Sequence, residues 1–426
     1  MPHRVKSSHR SVGSREPTAI PLGKGRRERA DAVVAGDGIV ALAAALALRT
    51  ALGEQARILV LGKPAPIAHE IDPRAYAIAG SARRLLEGLG VWPVLEADAQ
   101  PMEHIFVTDS RLDDVVRPAF LSFLGDTHEP ESGNTFAHMI EAKALRNALL
   151  GALDLARIET VPLRVHALIH ESDDDRIVLR AESGEVIASA LLVAADGARS
   201  TCRELAGISW IGWDYPQLGL TTTIAHEREH GARAYEHFLP GGPFAILPLK
   251  GRRSSIVWAE GKREAKRLLA LDDREAFIEI TRRFGHELGA LRLEGRLIGY
   301  PLSFGIARAF TARRLALVGD AAHVIHPVAG QGLNLGLQDV AALADAVSEA
   351  AHLGLDPGNP FTLSAYQRAR RFDTTAMAAL TDGLVRLFSN DHLPLRALRD
   401  FGLSLVDRAP PVKRLLANRA AGRVRA

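Results

Sequence analysis

The chain of 426 residues contains a single cysteine, Cys202, so no disulfide can form within it. This excludes the small secreted domains that depend on several disulfides, and it suits a reducing cytoplasm. We interpret Cys202 as a small, partly buried side chain and not as a nucleophile, because no neighbouring motif such as C-x-x-C marks it as reactive.

Long apolar runs are also missing from the sequence. The longest, from Ile39 to Leu48, is ten residues, whereas a membrane-spanning helix needs about 18 or more. The first 30 residues contain no apolar stretch of the kind that a secretory signal peptide requires. The sequence therefore predicts neither a spanning helix nor a signal peptide.

Net positive charge is confined to the two ends of the chain. The formal net charge is +3, but residues 1–30 carry eight Lys and Arg against two Glu, which leaves −3 for the remainder. We expect residues 1–30 to form a disordered basic tail. Nucleic-acid binding is not expected, because the body of the protein offers no basic face except near its C-terminus.

The sequence has the composition and the order of predicted elements that are typical of a soluble α/β protein. Hydrophobic residues make up 47% and charged residues 24% of the chain, and the length suggests two or three domains. Apolar patterning predicts an early strand–turn–helix–strand unit, typical of parallel strands with a crossover helix, and then short antiparallel strands and C-terminal helices. The main predicted elements are strands at 32–35, 56–61 and 315–318, short strands within 158–196 and 217–260, and helices at 39–52, 81–89, 143–155, 272–291, 333–353 and beyond 360.

A first glycine motif, Gly36-Asp37-Gly38-Ile39-Val40-Ala41, lies between the first strand and its helix. It fits G-x-G-x-x-[GA], in which glycines permit a tight turn and the helix N-terminus offers N–H groups to a pyrophosphate. An acidic residue is expected at the end of the second strand to bind the adenosine ribose, but Gly62 stands there. Either the ribose hydroxyls are held in another way or the affinity for a dinucleotide is reduced.

Two later glycine motifs also follow buried strands. Asp196-Gly197 is compatible with a phosphate contact, or with a helix cap or turn. Gly319-Asp320 is followed by the glycine-rich segment 326–339, which opens a long helix. A carboxylate at a strand end can accept hydrogen bonds from a polyol, and a glycine-flanked helix start directs N–H groups at negative charge.

With these motifs in place, the sequence resembles the UbiH-like FAD-dependent aromatic hydroxylases of ubiquinone biosynthesis, a branch of the single-component flavin monooxygenases. The resemblance covers about residues 31–422. Further matching stretches lie at 72–78, 89–92, 141–146, 238–249 and 381–391. The domains that follow are a Rossmann-like FAD-binding domain at 31–205 and 301–350, an antiparallel β-sheet substrate domain at 206–300 and a C-terminal helical region at 351–426.

The resemblance also implies roles for individual residues. Asp320 would hold the ribityl chain, and the loop of Pro327, Gly330, Gln331 and Gly332 would border the isoalloxazine ring. No catalytic acid or base is predicted, since the redox chemistry belongs to the cofactor. The implied cofactor-binding residues are Gly36, Gly38, Arg74, Arg146, Asp196, Gly319, Asp320, Pro327, Gly330, Gly332, Leu333 and Asn334.

The implied reaction is hydroxylation of the aromatic ring of a polyprenylated phenol, with NAD(P)H and O2 consumed through a flavin C4a-hydroperoxide. Residues 383–426 mix nine Lys and Arg and three Asp with leucines. They suit either a helix packed on the body or peripheral contact with the inner face of the membrane, where a polyprenylated substrate dissolves. Contact with other enzymes of ubiquinone biosynthesis, and a homodimer, are left open.

The sequence also allows two other interpretations. Gly62 raises the alternative of a non-catalytic accessory member that scaffolds a ubiquinone-biosynthesis complex. The segment His226-Glu227-Arg228-Glu229-His230 matches H-E-x-x-H of zinc metalloproteases, but residues 221–224 before it are strand-like and a zinc site would need a helix and a third ligand. We therefore predict no metal site, and we interpret His323 and His326 as packing or hydrogen-bonding residues.

Overall fold

The computed structural model describes residues 27–62, 72–109, 112, 121–124, 135–169, 175–239, 241–327 and 330–388. Within these ranges, 20 strands form three sheets that are flanked by nine α-helices. Residues 1–26 of the predicted tail and residues 389–426 of the basic C-terminal segment lie outside the described ranges. So do Val328 and Ala329 of the predicted ring-bordering loop.

The elements are numbered in chain order. The strands are β1 (Arg27–Ala35), β2 (Ile58–Leu61), β3 (Ala75–Ala79), β4 (Gln100–Met102), β5 (His104–Asp109), β6 (Leu121–Leu124), β7 (Ala137–Glu141), β8 (Glu159–Val161), β9 (Val165–Ile169), β10 (Ile177–Ala181), β11 (Val186–Ala194), β12 (Trp210–His226), β13 (Arg233–Leu239), β14 (Gly242–Leu249), β15 (Arg253–Gly261), β16 (Leu291–Leu293), β17 (Ile298–Ala307), β18 (Thr311–Ala312), β19 (Leu315–Leu317) and β20 (His323–Val324). The helices are α1 (Ile39–Leu52), α2 (Gly80–Gly88), α3 (Trp92–Leu95), α4 (Ala142–Leu155), α5 (Thr201–Leu205), α6 (Lys262–Leu269), α7 (Asp273–Phe284), α8 (Gln331–His352) and α9 (Pro360–Phe388).

The first sheet has a parallel centre, in the order β19-β11-β1-β2-β8. β11 is long enough to pair with two strands along one edge, with β10 at its start and β19 at its end. The carboxyl ends of β1, β2, β11 and β19 therefore meet at one edge of the sheet. In open parallel sheets, ligands bind in the crevice outside this edge.

The helix α1 is buried along eight consecutive residues, from Ala41 to Leu48. A helix that is apolar all round packs inside a domain and not on its surface. Six of its fourteen residues are alanine, and such small side chains allow neighbouring helices to come close. α1 packs against the parallel sheet, α4 and α8 in the main hydrophobic core.

The closest packing of α1 and α8 involves two glycines. A Cβ atom built on Gly336 of α8 would lie 2.9 Å from Cγ2 of Val40 and 3.1 Å from Cα of Gly319. Gly319 follows β19 with a φ of +59° and packs on the same valine. These glycines bring together the start of α1, the end of β19 and the first turns of α8.

The second sheet has nine strands and is mostly antiparallel, in the order β20-β17-β12-β15-β14-β13-β5-β6, with β16 paired to β12. Its outer face is covered by α6 and α7, which pack on Phe244, Ile256 and Trp258. On its inner face, a three-stranded sheet of β3, β7 and β4 packs against β13 and β14 through a small apolar cluster.

The structure confirms the predicted α/β class with an antiparallel sheet and C-terminal helices. Some boundaries differ. β1 begins at Arg27, because residues 27–30 pair with residues 186–189 of β11, so the predicted tail is too long by four residues. The helix predicted over 272–291 ends at Phe284, where Gly285 adopts a φ of +84°. The large sheet takes β5, β6, β20 and part of β17 from outside residues 206–300, so the division into domains stays a prediction.

The tight contact at Gly336 gives a first testable prediction. Gly336→Ala should destabilise the protein by about 1–2 kcal/mol, because overpacking costs more than the gain in helix propensity. Denaturant unfolding of the apo-protein measures this. As a matched control, Gly151→Ala in α4 has open space around its added Cβ among the described residues and should stabilise by about 0.5–1 kcal/mol. Equal effects of the two substitutions would contradict the packing argument.

Candidate cofactor site

The first glycine motif forms a turn between β1 and α1 that contacts the second motif. Gly36 has a φ of +127°, and a Cβ atom there would lie 2.2 Å from the carbonyl oxygen of Ala195. A side chain at this position is therefore excluded by the backbone just before Asp196. The two predicted motifs are thus neighbours in space although 160 residues separate them.

The N-terminus of α1 is open to a ligand. Gly38 is its N-cap residue and makes no side-chain capping bond, and the first turn contains no acidic residue. Among the described residues, nothing lies within 4 Å of a Cβ built on Gly38. Unpaired N–H groups and the positive end of a helix dipole together favour an anion such as a pyrophosphate.

Arg146 of α4 lies beside the same turn. Its Nη1 donates a hydrogen bond of 2.7 Å to the carbonyl oxygen of Asp37, between the two glycines. The guanidinium thus adds positive charge next to the N-terminus of α1. Arg146, which the resemblance implies as a cofactor-binding residue, therefore lies beside the first glycine motif.

The third motif forms the N-terminus of α8. Gly330 is the N-cap in the left-handed conformation, with a φ of +62°, and its N–H donates to the carbonyl of Pro327 at 2.9 Å. Within the described part of the chain, nothing lies within 4 Å of a Cβ built on Gly332, and no side-chain bond caps the helix. A second helix N-terminus is therefore available to negative charge, while Leu333 packs against the main core.

Asn334 lies behind this turn and is 1% exposed. Its Oδ1 accepts a hydrogen bond from the N–H of Ala79 at 2.9 Å, and its Nδ2 donates to the carbonyls of Ala77 at 2.7 Å and Gly330 at 3.2 Å. Two of these bonds tie the start of α8 to β3, and the third holds the N-cap residue Gly330. In the structure Asn334 holds the glycine turn in place, and its amide faces protein.

Asp320 lies three residues after the end of β19, and its side chain is accessible to solvent although many protein atoms lie around it. Burial raises the pKa of this carboxyl, and the nearby Arg74 and His323 oppose the rise. Tyr76 lies within electrostatic range of Asp320, Arg74 and Arg146. Three of the predicted cofactor residues therefore surround Tyr76 of β3.

Arg74 makes a two-pronged ion pair with Asp72, with Nε–Oδ1 and Nη2–Oδ2 distances of 2.7 and 2.6 Å. Its side chain is 52% exposed, so it retains surface for a ligand. Tyr300 on β17 also lies within electrostatic range of Arg74, and burial raises the pKa of this tyrosine to about 12. Arg74 therefore lies near both Tyr300 of the large sheet and Asp320.

Asp196 has a different environment from Arg146 and Asp320. Its two carboxylate oxygens accept hydrogen bonds from the hydroxyl of Ser200 and the N–H of Cys202 at the start of α5. This is the capping role that the sequence left open as the alternative. A direct contact of Asp196 with phosphate stays a prediction.

Asp339 of α8 is a buried ionic centre that connects four segments. Its Oδ2 accepts from the N–H of Gly319 at 3.0 Å and lies 2.6 Å from Nε2 of His323. Its Oδ1 accepts from Nε of Arg370 on α9 at 2.9 Å. Burial alone would raise the pKa of Asp339, but the charges and hydrogen bonds of His323 and Arg370 outweigh it and lower the pKa.

The helix α9 also reaches the loop before α8. The hydroxyl of Tyr215 donates to Oδ1 of Asp382 at 2.6 Å, and the Tyr215 ring packs edge-on against His326 with 5.1 Å between ring centroids. Burial lowers the pKa of His326 to about 4, which keeps this imidazole neutral at pH 7. Both predicted histidines therefore serve in packing and hydrogen bonding.

The inner face of the large sheet is mostly apolar and carries a carboxyl group. Ala234 of β13 belongs to the cluster with Met102 and Phe136, and Glu236, two residues further along, points to the same face. Burial raises the pKa of Glu236 to about 8. The same face continues to Leu302, which packs with Ile325 and Leu335 near the third motif.

The H-E-x-x-H segment does not have the geometry of a zinc protease. His226 ends β12, where its Nδ1 lies 2.6 Å from the carbonyl of Arg228 and its Nε2 lies 3.1 Å from the hydroxyl of Ser254. The Nε2 of His230 lies 2.9 Å from the carbonyl of Leu249. A strand end followed by a turn cannot present both imidazoles on one helical face, so the protease interpretation is wrong.

Comparison with known proteins identifies the family of the chain. A family profile described as "FAD binding domain" matches residues 29–379. The ubiquinone hydroxylase UbiL of Rhodospirillum rubrum is 41% identical, over 92% of this chain and 90% of that protein. The 3-demethoxyubiquinol 3-hydroxylase of Escherichia coli is 32% identical, over 91% and 97%. The chain belongs to the FAD-binding family of flavoprotein monooxygenases.

Solved structures show the same fold. The p-nitrophenol 4-monooxygenase PnpA of Pseudomonas putida has a TM-score of 0.75 at 19% identity, covering 94% of this chain and 100% of that chain. PqsL of Pseudomonas aeruginosa has a TM-score of 0.71 at 22% identity, covering 88% and 99%. At these identities the comparison establishes the fold.

The residues present fit FAD, the cofactor of this family. Two uncapped helix N-termini, at Gly38 and Gly332, have open space where a side chain would otherwise lie. The N-terminus of α1 suits the pyrophosphate, and the N-terminus of α8 suits the negative charge of a reduced flavin. Asp320 lies between them in sequence, at the end of β19, and can accept hydrogen bonds from ribityl hydroxyls.

Sequence reasoning did not select several residues that shape this site. Asp339 and Arg370 bury a salt bridge behind the third motif, and Tyr76 adjoins the predicted arginines. Asp339 lies six residues after Leu333, within the first three turns of α8, so its place in the third motif was the available signal. Arg370 had none, because its partner lies on another helix.

The Asp339 centre gives the second prediction. Asp339→Asn should lower the free energy of unfolding at pH 7 by about 3 kcal/mol, because it leaves the Arg370 guanidinium buried without its anion. Since the folded-state pKa of Asp339 is lowered, its contribution is present above pH 4 and disappears as the pH falls through that lowered value. The gap between wild type and variant should therefore narrow at pH 3.

Urea unfolding at the two pH values measures this gap. Asp98→Asn removes an exposed carboxylate from the same protein and serves as the matched control, with an expected change below about 0.5 kcal/mol. The ionic role of Asp339 would be contradicted if Asp339→Asn lowered the free energy of unfolding no more than Asp98→Asn does. A loss of stability in Asp339→Asn that did not depend on pH would also contradict it.

Proposed function

We propose that this FAD-dependent monooxygenase hydroxylates the aromatic ring of a polyprenylated ubiquinone precursor, with NAD(P)H and O2 as co-substrates. The observation that carries the proposal is the pair of open helix N-termini beside Asp320, which lies next to the apolar inner face of the large sheet. The names of the relatives, ubiquinone hydroxylase and 3-demethoxyubiquinol 3-hydroxylase, support the substrate class.

The residues of the chain would bind and orient the cofactor. The N–H groups at the start of α1 would bind the pyrophosphate, with Arg146 adding positive charge nearby. Asp320 would accept hydrogen bonds from the ribityl chain. The N–H groups at the start of α8 would stabilise negative charge on the reduced ring. Bound FAD supplies the redox chemistry, by taking a hydride from NAD(P)H and activating O2 for transfer to the substrate.

The inner face of the large sheet would bind the substrate. Its apolar side chains suit an aromatic ring and a prenyl chain, and they exclude water from the oxygen-transfer step. Burial raises the pKa of Glu236 to about 8, which favours the neutral carboxyl at pH 7. Its carboxyl can therefore donate a hydrogen bond to an oxygen substituent of the ring.

A polyprenylated substrate implies contact with a membrane surface. No helix in the described ranges is long and apolar enough to span a bilayer. The excess of Lys and Arg over Asp in residues 383–426 supports peripheral binding to anionic lipid at the inner face of the membrane. Partner enzymes and a homodimer stay predictions.

Product analysis tests the proposed function. Purified protein should be yellow, and it should couple NAD(P)H oxidation to hydroxylation of a prenylated phenol, with one oxygen atom from ¹⁸O2 in the product by mass spectrometry. Colourless protein that FAD cannot reconstitute would contradict the proposal. FAD binding that is weak or absent, together with no product, would favour the accessory scaffold that Gly62 suggests.

The role of Asp320 gives a separate prediction. Asp320→Ala should weaken FAD binding by about tenfold or more, because hydrogen bonds to a charged acceptor contribute roughly 1.5–3 kcal/mol. Titration of apo-protein with FAD, followed by flavin fluorescence, measures the affinity, and Asp98→Asn is the control. Unchanged affinity in Asp320→Ala would remove the ribityl role of this carboxylate.

A further inference from the structure

The end of β2 lacks the acidic residue that dinucleotide-binding folds use. In such folds an Asp or Glu at this point accepts a hydrogen bond from a ribose hydroxyl of the adenosine half. Here β2 ends at Leu61, and Gly62 follows it. The sequence departs from the common pattern a second time at Asp37, a charged residue between the two glycines of the first motif. The structure places these two departures in contact.

The side chain of Asp37 occupies the space next to Gly62. A Cβ atom built on Gly62 would lie 2.7 Å from Cβ and 3.2 Å from Cγ of Asp37. Contacts below 3.0 Å are essentially never made by real Cβ atoms. An acidic side chain at position 62 is therefore incompatible with this position of Asp37. Gly62 lacks the usual acidic side chain, and its small size leaves room for the carboxylate of Asp37.

Hydrogen bonds of the backbone fix the turn that carries Asp37 beside the end of β2. The N–H of Gly36 donates to the carbonyl of Leu61 at 2.8 Å, and the N–H of Gly62 donates to the carbonyl of Val161 at 2.9 Å. On the other side, Arg146 holds the carbonyl of Asp37 at 2.7 Å. The turn that carries Asp37 is thus bound to β2 and to α4.

The surroundings of Asp37 are compatible with a charged carboxylate near a pyrophosphate. The residue immediately precedes the N-cap of α1, where the helix dipole favours negative charge. The Arg146 guanidinium lies against its backbone and offsets the added anion. Asp37 is half-buried, so part of its surface stays accessible at the carboxyl ends of β1 and β2.

We propose that the Asp37 carboxylate accepts hydrogen bonds from the ribose hydroxyls of the adenosine half of FAD, in place of the acid that β2 lacks. This inference deepens the cofactor site and rests on FAD binding by the wild-type protein. It resolves the choice raised by Gly62 in favour of ribose hydroxyls held by another residue.

Asp37→Asn tests the proposal with little change of shape. The variant should bind FAD about tenfold or more weakly than wild type, as expected for loss of a charged acceptor. Its affinity for FMN, which lacks the adenosine half, should stay within about twofold, since only the ribose contact is altered. Both affinities are measured by fluorescence titration of apo-protein, and FMN binding also shows that the variant is folded.

A ligand that lacks the hydroxyls completes the test. Wild type should bind the 2′,3′-dideoxyadenosine analogue of FAD about as weakly as Asp37→Asn binds FAD, and the variant should lose no further affinity for the analogue. Such non-additive losses indicate a direct interaction. Asp154→Asn removes an exposed carboxylate at the far end of α4, about 12 Å along the helix from Arg146, and should not change either affinity.

The outcomes separate this inference from the proposed function. If Asp37→Asn binds FAD as wild type does, if FMN binding falls equally, or if the losses are additive, then Asp37 does not bind the ribose, while the cofactor site stands. If wild type binds neither FAD nor its analogue, the cofactor site itself is wrong. Non-additive losses confined to the adenosine ligands would establish the role of Asp37.

Discussion

The close approach of α1 to α8 is the constraint on which the site depends. Val40 packs against Gly319 and Gly336, so the turn after β1, the end of β19 and the first turns of α8 lie together. Because a larger residue at either glycine would push the helices apart, the two open helix N-termini keep their spacing only while both positions stay small. The position of the cofactor site is therefore a consequence of the packing of α1 against α8.

Buried polar groups hold the same region from behind. Asp339 connects α8 to the backbone of Gly319 and to Arg370 of α9, and Asn334 connects α8 to β3. Buried charges and amides are stable only when fully paired, so these side chains fix the position of the glycine turn. The glycine positions leave room for the ligand, and the polar side chains behind them provide rigidity.

The local features of this fold could be predicted from the sequence, since each depends on neighbouring residues. The bounds of α1 and the placement of the first and third motifs at helix starts agree with the structure. The recruitment of β5 and β6 into the large sheet and the pairing of Asp339 with Arg370 could not be predicted, because each joins distant segments. The contact of Asp37 with Gly62 likewise depends on the alignment of β1 and β2.

A crystal structure of the protein with FAD tests the central claim most directly. We expect pyrophosphate oxygens within hydrogen-bond distance of the N–H groups at the start of α1. We also expect the isoalloxazine ring against the N-terminus of α8, near Gly332. FAD bound with its pyrophosphate away from α1, or with its ring away from α8, would contradict the claim that the packing of these two helices creates the cofactor site.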